Sequence, residues 1–143
     1  MNIGKKIVLL SSSLAGGGSE GVCVNIANNL ALRGWHVDLL VLNLNKAVYL
    51  NRLSEDVNLI NLDISHARYS SISLLKYIFK NKPKVFLVFS YELSTILVIL
   101  QITLKLRIKI ISRNVSTLSI RIEQLRQKNF WSKYFTGPLI KFF

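Results

Sequence analysis

Apolar positions along the chain fall into short continuous runs, separated by segments in which apolar residues recur at every third or fourth position. Five short runs rich in apolar residues predict strands, at 5–11, 37–42, 57–62, 85–89 and 108–111. The first and fourth are continuous apolar runs typical of strands buried on both faces of a sheet, whereas 57–62 alternates imperfectly. The recurring spacing predicts helices at 19–33, 72–82, 91–106 and 116–128, with a short helical turn around 47–53. Strands that alternate with helices predict an α/β fold, a Rossmann-like parallel sheet with helices on both faces.

The predicted helices differ in how their apolar residues are arranged. The second carries one apolar stripe, made of Ile72, Leu75, Ile78 and Phe79, which marks its buried face. The third is apolar nearly all round and is therefore predicted to be buried. On the first helix Cys23 lies on the apolar side, which indicates a small core residue. It is the only cysteine, so neither a disulfide framework nor a cysteine-based metal site is expected.

Three consecutive glycines connect the first predicted strand to the first predicted helix. The connection, 11–20, reads SSSLAGGGSE, and Gly16, Gly17 and Gly18 leave its backbone without side chains. Glycine is favoured where φ is positive or where a ligand must approach the backbone closely. Ser19 is predicted to cap the helix, whose first N–H groups and positive dipole end attract anions. The connection predicts an anion site, and a tight turn that binds nothing is the alternative.

The glycine loop does not fit the two best-known phosphate-binding motifs. Gly16, Gly18 and Gly21 satisfy G-x-G-x-x-G, but four residues separate the strand from the first glycine. The acidic residue expected at the end of the second strand is also missing, because Asp38 lies near its start and Asn43 at its end. These departures argue against a nicotinamide or flavin cofactor. A P-loop is excluded, since no Gly-Lys-Ser/Thr follows the glycines.

Loops at the carboxyl ends of parallel strands meet at one edge of a sheet, where ligands of open α/β sheets bind. The sequence therefore predicts that four loops line one crevice, namely 11–18, 43–45, 90–92 and 112–116.

The segment 16–39 resembles the opening of the N-terminal domain of family 4 glycosyltransferases of the GT-B type. The shared features are the glycine loop, the acidic Glu20, the helix Asn25-x-Ala27-x-x-Leu30, the turn Arg33-Gly34-Trp35 and the strand that follows. The resemblance continues through Lys82-Pro83 and Arg113-Asn114, and it covers nearly the whole chain.

This resemblance implies an enzyme of two Rossmann-like domains, of which residues 1–143 form the N-terminal, acceptor-binding one. It implies transfer of a sugar, with retained configuration and without metal or cofactor, from a UDP- or GDP-linked donor to a sugar or lipid-linked acceptor. Polysaccharide or glycolipid biosynthesis is the expected setting. The chain ends one strand short of the family's first domain and has no E-x7-E pair of glutamates. The donor-binding domain is therefore expected to be missing or on a separate chain, and this fragment is expected to be inactive alone.

The resemblance also suggests which residues bind substrate. Gly16, Gly17, Gly18 and Ser19 would face the donor diphosphate, and Glu92, Arg113 and Asn114 would contact sugar or phosphate from the loops after the fourth and fifth strands. Glu92 has an alternative role as a cap of the helix that it begins. Many family members carry a histidine in these loops, and this chain has none there, so no catalytic residue is assigned.

The formal net charge of +12 is concentrated in the second half of the chain. Residues 1–75 hold six Lys or Arg against five Asp or Glu, a net of +1, and residues 76–143 hold thirteen against two, a net of +11. This asymmetry indicates either a negatively charged partner or a solvated basic surface. Nucleic acid is not the expected partner, because no RNA-binding motif, zinc spacing or recognition helix accompanies the basic residues.

Segment 130–143 is aromatic and basic, a composition typical of peripheral contact with an anionic membrane. The same residues would equally serve to dock on another part of the protein. The alternative function is therefore a non-catalytic module that binds anionic lipid or polysaccharide. No signal peptide is expected from the first residues, and no transmembrane span is expected because no apolar run reaches about 20 residues. The expected location is cytoplasmic, with contact to the inner face of the membrane.

Overall fold

The computed structural model describes residues 5–113, which form five strands and three α-helices. In chain order they are β1 (Lys6–Ser11), α1 (Gly18–Leu32), β2 (His36–Val41), β3 (Val57–Asn61), α2 (Ser70–Asn81), β4 (Val85–Val88), α3 (Tyr91–Thr103) and β5 (Lys109–Ser112). Two short 3-10 turns, Leu50–Arg52 and Ala67–Tyr69, precede β3 and α2. All five predicted strands and the first three predicted helices are confirmed, and their ends differ little from the prediction.

The five strands form one parallel sheet in the order β3-β2-β1-β4-β5. Crossovers of one hand produce this order when the chain first builds outward on one side of β1 and then on the other. The order reverses between β1 and β4, which is the point where open α/β sheets bind ligands beyond the carboxyl ends of their strands. The predicted α/β fold with a parallel, Rossmann-like sheet is confirmed, and the two-domain GT-B architecture stays a prediction.

Helices cover both faces of the sheet, as predicted. On one face α1 buries Cys23, Val24 and Ala27 in a core that includes Leu9 of β1. On the other face α2 and α3 pack around Phe86 of β4, which is fully buried. Successive residues of a strand point to opposite faces, so β1 contributes to both cores and needs apolar side chains at consecutive positions.

The buried face of α2 is not the predicted one. Leu74, Tyr77 and Ile78 face the sheet, whereas Ile72 and Phe79 are 65% and 62% exposed. The sequence of α2 offers two apolar stripes that overlap at Ile78. The stripe with Tyr77 is buried because its hydroxyl reaches a buried carboxylate, which satisfies both polar groups.

The prediction that the third helix is buried is wrong. Only the face of α3 with Leu93, Ser94 and Leu97 is buried, and Ile99 and Ile102 are 57% and 72% exposed. A helix that is apolar all round shows no preferred face, and its burial depends on how many elements pack on it. Within residues 5–113, β5 is the edge strand beside α3 and is itself largely exposed.

The prediction for the C-terminal end of α1 is confirmed, but the prediction for its N-terminal cap is not. Gly34 has a φ of +76°, and its N–H donates to the Ala31 oxygen at 2.8 Å while the Trp35 N–H donates to the Leu30 oxygen at 3.0 Å. This pair of bonds is the Schellman motif, so the predicted glycine stop is confirmed. The prediction that Ser19 caps the helix is wrong, because Gly17 occupies the N-cap position and no side chain caps it.

Several predictions concern residues outside 5–113, the part that the structure describes. They are the helix at 116–128, the aromatic and basic segment 130–143 and the substrate-binding role of Asn114. Within 5–113 no helix is both long enough and apolar enough to cross a bilayer.

Candidate functional site

The candidate site lies at the carboxyl edge of the three neighbouring strands β1, β4 and β5. Leu10, Val88 and Ser112 occupy the same level of the sheet in the strand register. The ladder continues one residue further, because the Phe89 N–H donates to the Leu10 oxygen at 2.9 Å and the Arg113 N–H to the Val88 oxygen at 2.8 Å. Two strand spacings amount to about 10 Å, so the loops after these strands can reach one small ligand.

The three glycines of the loop differ in what the protein itself requires of them. Gly16 has a φ of +107°, a conformation that L side chains rarely adopt. A Cβ on Gly17 would collide with the Oε2 of Glu20, and a Cβ on Gly18 would meet nothing within 4 Å. The conformation of the backbone therefore explains Gly16, and the Glu20 side chain limits what fits at Gly17. No contact with residues 5–113 accounts for Gly18.

The N-terminus of α1 carries a carboxylate of its own. Glu20 lies in the first turn, and its Oε2 sits against Gly17. The Ser13 hydroxyl donates to Glu20 Oε1 at 3.3 Å, and the Ser19 hydroxyl donates to Oε2 at 3.1 Å. This negative charge compensates the positive end of the helix dipole. A ligand anion at the loop would have to displace the Glu20 side chain or bind beside it.

A segment from the loop after β2 covers one side of the glycine loop. The Tyr49 hydroxyl donates to the Gly16 oxygen at 3.3 Å, and the Tyr49 N–H donates to the Leu14 oxygen at 3.2 Å. A Cβ on Gly21 would lie 3.2 Å from the Tyr49 hydroxyl oxygen, so this glycine makes room for the tyrosine. The third glycine of the apparent dinucleotide motif therefore has a packing role.

Asn28 holds the same segment against α1, a role that the sequence pattern did not predict. Its Nδ2 donates to the Arg52 oxygen at 2.8 Å, and its Oδ1 accepts from the Ser54 N–H at 2.9 Å. The Arg52 guanidinium lies 5.0 Å from the centroid of the Tyr49 ring. One amide thus satisfies two backbone groups of an irregular segment and fixes the tyrosine beside the glycines. The sequence feature that could have indicated this role is a polar residue on the inner side of a predicted helix.

The remaining candidate residues lie at the same edge but make few contacts. Glu92 is exposed in the first turn of α3 and makes no capping hydrogen bond, although its charge favours that helix end. The Arg113 side chain is exposed directly after β5. In the loop after β2, Asn43 Nδ2 donates to the Ile64 oxygen at 3.2 Å. Asn43 therefore joins the loops after β2 and β3.

A buried carboxylate at the opposite end of the sheet was missed by the sequence reasoning. Asp38 of β2 is 1% exposed. Its Oδ2 lies 2.9 Å from Lys6 Nζ and accepts a hydrogen bond from the Tyr77 hydroxyl. Its Oδ1 accepts from Asn58 Nδ2 at 2.8 Å and lies 3.3 Å from His36 Nε2. A charged residue inside an apolar strand was the available signal, because a buried charge needs partners.

The surroundings of Asp38 keep it ionised. Burial alone would raise the pKa of this carboxyl, but hydrogen bonds from Tyr77, Asn58 and Lys6, together with the Lys6 charge, outweigh it and lower the pKa. Burial and the hydrogen bond to Asp38 raise the pKa of the Tyr77 phenol far above its usual value. The cluster joins β1, β2, β3 and α2 through one carboxylate. We interpret it as structural, because it lies near the start of β2, away from the glycine loop.

The sulfur of Cys23 is buried beneath α1, which confirms the core assignment. Burial, with a contribution from the Glu20 charge, raises the pKa of this thiol to about 12. A thiol that stays protonated is a poor nucleophile. In the described part of the chain no group of three or more His, Cys, Asp or Glu side chains could hold a metal ion.

The fold and this edge together define an α/β protein whose five-stranded parallel sheet carries a glycine loop at its topological switch point. No protein-family model, no curated protein and no solved structure matches the chain.

Proposed function

We propose that this chain is the acceptor-side part of a retaining, nucleotide-sugar-dependent glycosyltransferase. The observation that carries the proposal is the glycine loop at the switch point of the sheet, where Gly18 has no neighbour in the described part of the chain that would exclude a side chain. Glycine in the first turn of a helix costs stability relative to alanine. A ligand that must approach the backbone is the functional reason to keep it.

The chemistry of glycosyl transfer suits such a loop. Negative charge grows on the diphosphate leaving group as the glycosidic bond breaks, and N–H groups already in position stabilise that charge more than the ground state. Gly17, Gly18 and Ser19 would supply these groups at the start of α1. Glu20 would move aside when the diphosphate binds. Arg113, on the same edge, would supply a positive charge.

The proposal extends to the setting of the reaction. The donor would be linked to UDP or GDP and held mainly by a second domain, and the acceptor would be a sugar or a lipid-linked sugar on this one. The chain alone is expected to bind diphosphates weakly and to transfer nothing. Its location would be cytoplasmic, beside the inner face of the membrane where a lipid-linked acceptor is presented. Polysaccharide or glycolipid biosynthesis is the corresponding process.

Replacing Gly18 by valine is expected to weaken diphosphate binding about tenfold, equal to roughly one charge-assisted hydrogen bond. The valine would block the approach of a ligand and leave the fold intact, because the site is exposed and open. Amide chemical shifts would be followed by NMR during titration with pyrophosphate, UDP, GDP and NAD. The expected shifts lie at residues 16–20 and are largest for pyrophosphate, UDP and GDP.

Ser71→Val is the matched control, because Ser71 occupies the first turn of α2, which starts at the same edge of the sheet without a glycine loop. This variant should bind as the wild type does. Tight binding of NAD with no response to UDP would replace the transferase proposal by a dinucleotide site. Equal affinities of the wild type and Gly18→Val would remove the glycine loop from the binding site.

A further inference from the structure

The side of α2 that points away from the sheet is unusually apolar for an exposed helix face. Ile72 and Phe79 are separated by two helical turns and are 65% and 62% exposed, and Tyr69, directly before the helix, is 60% exposed. Lys76 lies between Ile72 and Phe79 on this side, and Lys80 lies beside it; both are exposed. We call these five residues the outward face of α2. None of these five residues belongs to either hydrophobic core.

The segment of chain that contains this face is basic and carries no acidic residue. Residues 64–91 contain no Asp or Glu, and their cations are Arg68, Lys76, Lys80, Lys82 and Lys84. The ion pairs within the described residues both involve Asp38, with Lys6 and with His36, so none uses a cation of this stretch. The Arg68 guanidinium lies 4.9 Å from the centroid of the Tyr69 ring, which gathers charge and aromatic surface at the start of α2.

We propose that the outward face of α2 binds the surface of an anionic lipid bilayer, with the helix axis parallel to the membrane plane. Ile72, Phe79 and Tyr69 would enter the boundary between headgroups and acyl chains. Lys76 and Lys80 would extend their stems past these apolar side chains and place their ammonium groups among lipid phosphates. Each such cation near an anionic surface contributes about fivefold to the affinity.

The shape and chemistry of the face favour a bilayer over other anionic partners. A protein partner would have to offer a groove that receives this helix and also acidic groups opposite Lys76 and Lys80, whereas an anionic bilayer supplies an apolar layer and negative charge over its whole surface. Nucleic acids are bound by cations with stacking aromatic or polar side chains, and the exposed aliphatic Ile72 has no role there. A bilayer accepts a convex amphipathic helix and uses both its apolar and its basic side chains.

The inference does not depend on the proposed transferase function, because it concerns α2 and not the glycine loop. Binding to vesicles needs no donor, acceptor or second domain. Its failure would therefore leave the diphosphate proposal untouched, and failure of diphosphate binding would leave this proposal untouched.

The test is flotation of the full chain with vesicles of phosphatidylcholine containing about one third phosphatidylglycerol, compared with pure phosphatidylcholine at low and high salt. The wild type should float with the anionic vesicles only, and less at high salt. The double variants Ile72→Ser/Phe79→Ser and Lys76→Glu/Lys80→Glu should each lose at least about tenfold in affinity. Circular dichroism would establish that both variants keep the fold.

Leu32→Ser/Arg33→Glu provides the matched control on the other face of the sheet, because Leu32 at the end of α1 is 78% exposed and Arg33 follows it. It makes one change of each kind, apolar to serine and cation to glutamate, and should float like the wild type. The wild type already contains two tryptophans, so its emission is the baseline. Relative to it, Phe79→Trp should add emission that shifts to the blue on anionic vesicles, whereas the added emission of Leu32→Trp should not shift.

Three results would overturn the proposal. One is the absence of flotation with anionic vesicles at low salt. Another is flotation that survives both α2 double variants, which would assign membrane binding to another part of the chain. The third is binding of single-stranded RNA, or self-association measured by light scattering, that depends on Ile72 and Phe79 while vesicles are not bound.

Discussion

Replacing Asp38 by alanine is expected to lower the free energy of unfolding by about 2–4 kcal/mol. The carboxylate is buried and accepts hydrogen bonds from the Tyr77 hydroxyl and from Asn58 Nδ2. Its removal leaves these two donors without their acceptor and leaves the Lys6 ammonium without its counter-charge. Urea denaturation at neutral pH measures the loss, with Glu55→Ala as the control for removal of one exposed acidic side chain.

The contribution of Asp38 should also depend on pH in a defined direction. The pKa of Asp38 is lowered in the folded protein, so the stabilisation is present above the unfolded pKa of about 4. It is lost as the pH falls through the lower folded pKa. The difference in stability between the wild type and Asp38→Asn should therefore be constant from about pH 5 to pH 8 and shrink in acid. A difference that grows in acid would contradict this account of the cluster.

Replacing Gly16 by alanine is expected to cost about 1–3 kcal/mol, whereas Gly18→Ala should be neutral or stabilising by up to about 1 kcal/mol. Gly16 has a φ of +107°, which alanine adopts only with strain. Gly18 is the first residue of α1 and has open space at the Cβ position, so alanine fits and favours the helix. Two positions of one glycine run, separated only by Gly17, should thus respond differently to the same substitution.

Thermal and urea unfolding of the two single variants measure this contrast. Gly17→Ala should fall between them, because its Cβ meets only the end of the flexible Glu20 side chain, which can turn away. Equal losses at Gly16 and Gly18 would mean that the run acts as one turn requiring glycine throughout. The functional reading of Gly18 would then lose its support, since the fold alone would explain the residue.

The strands could be predicted because a parallel sheet covered on both faces needs apolar residues at consecutive positions. Ile7 to Leu10 and Val37 to Val41 show this pattern, interrupted only by Asp38. The glycine stop of α1 was predictable because a left-handed residue at a helix end is often glycine, although Lys82 and Lys105 occupy such positions after α2 and α3. The carboxyl edge of the sheet followed from the alternation of strands and helices, and with it the position of the glycine loop.

The helix faces could not be predicted as well, because apolar residues outnumber the buried positions in α2 and α3. In α2 the choice between Phe79 and Tyr77 depends on a carboxylate 39 positions earlier in the chain. In α3 the exposure of Ile99 and Ile102 depends on which elements pack beside the edge strand β5. Both choices depend on residues outside the helix, so the spacing of apolar residues within the helix cannot predict which face is buried.

The sequence by itself determined the α/β class, the succession of its elements and the glycine loop between the first strand and the first helix, since these depend on short-range patterns. Only the tertiary structure decided that Glu20 lies over Gly17, that Tyr49 covers the loop and that Ile72 and Phe79 face outward. These are contacts, or the absence of contacts, between residues brought together by the sheet. The reason is that local backbone chemistry limits which elements form, whereas packing between distant elements decides which side chains remain available to a partner.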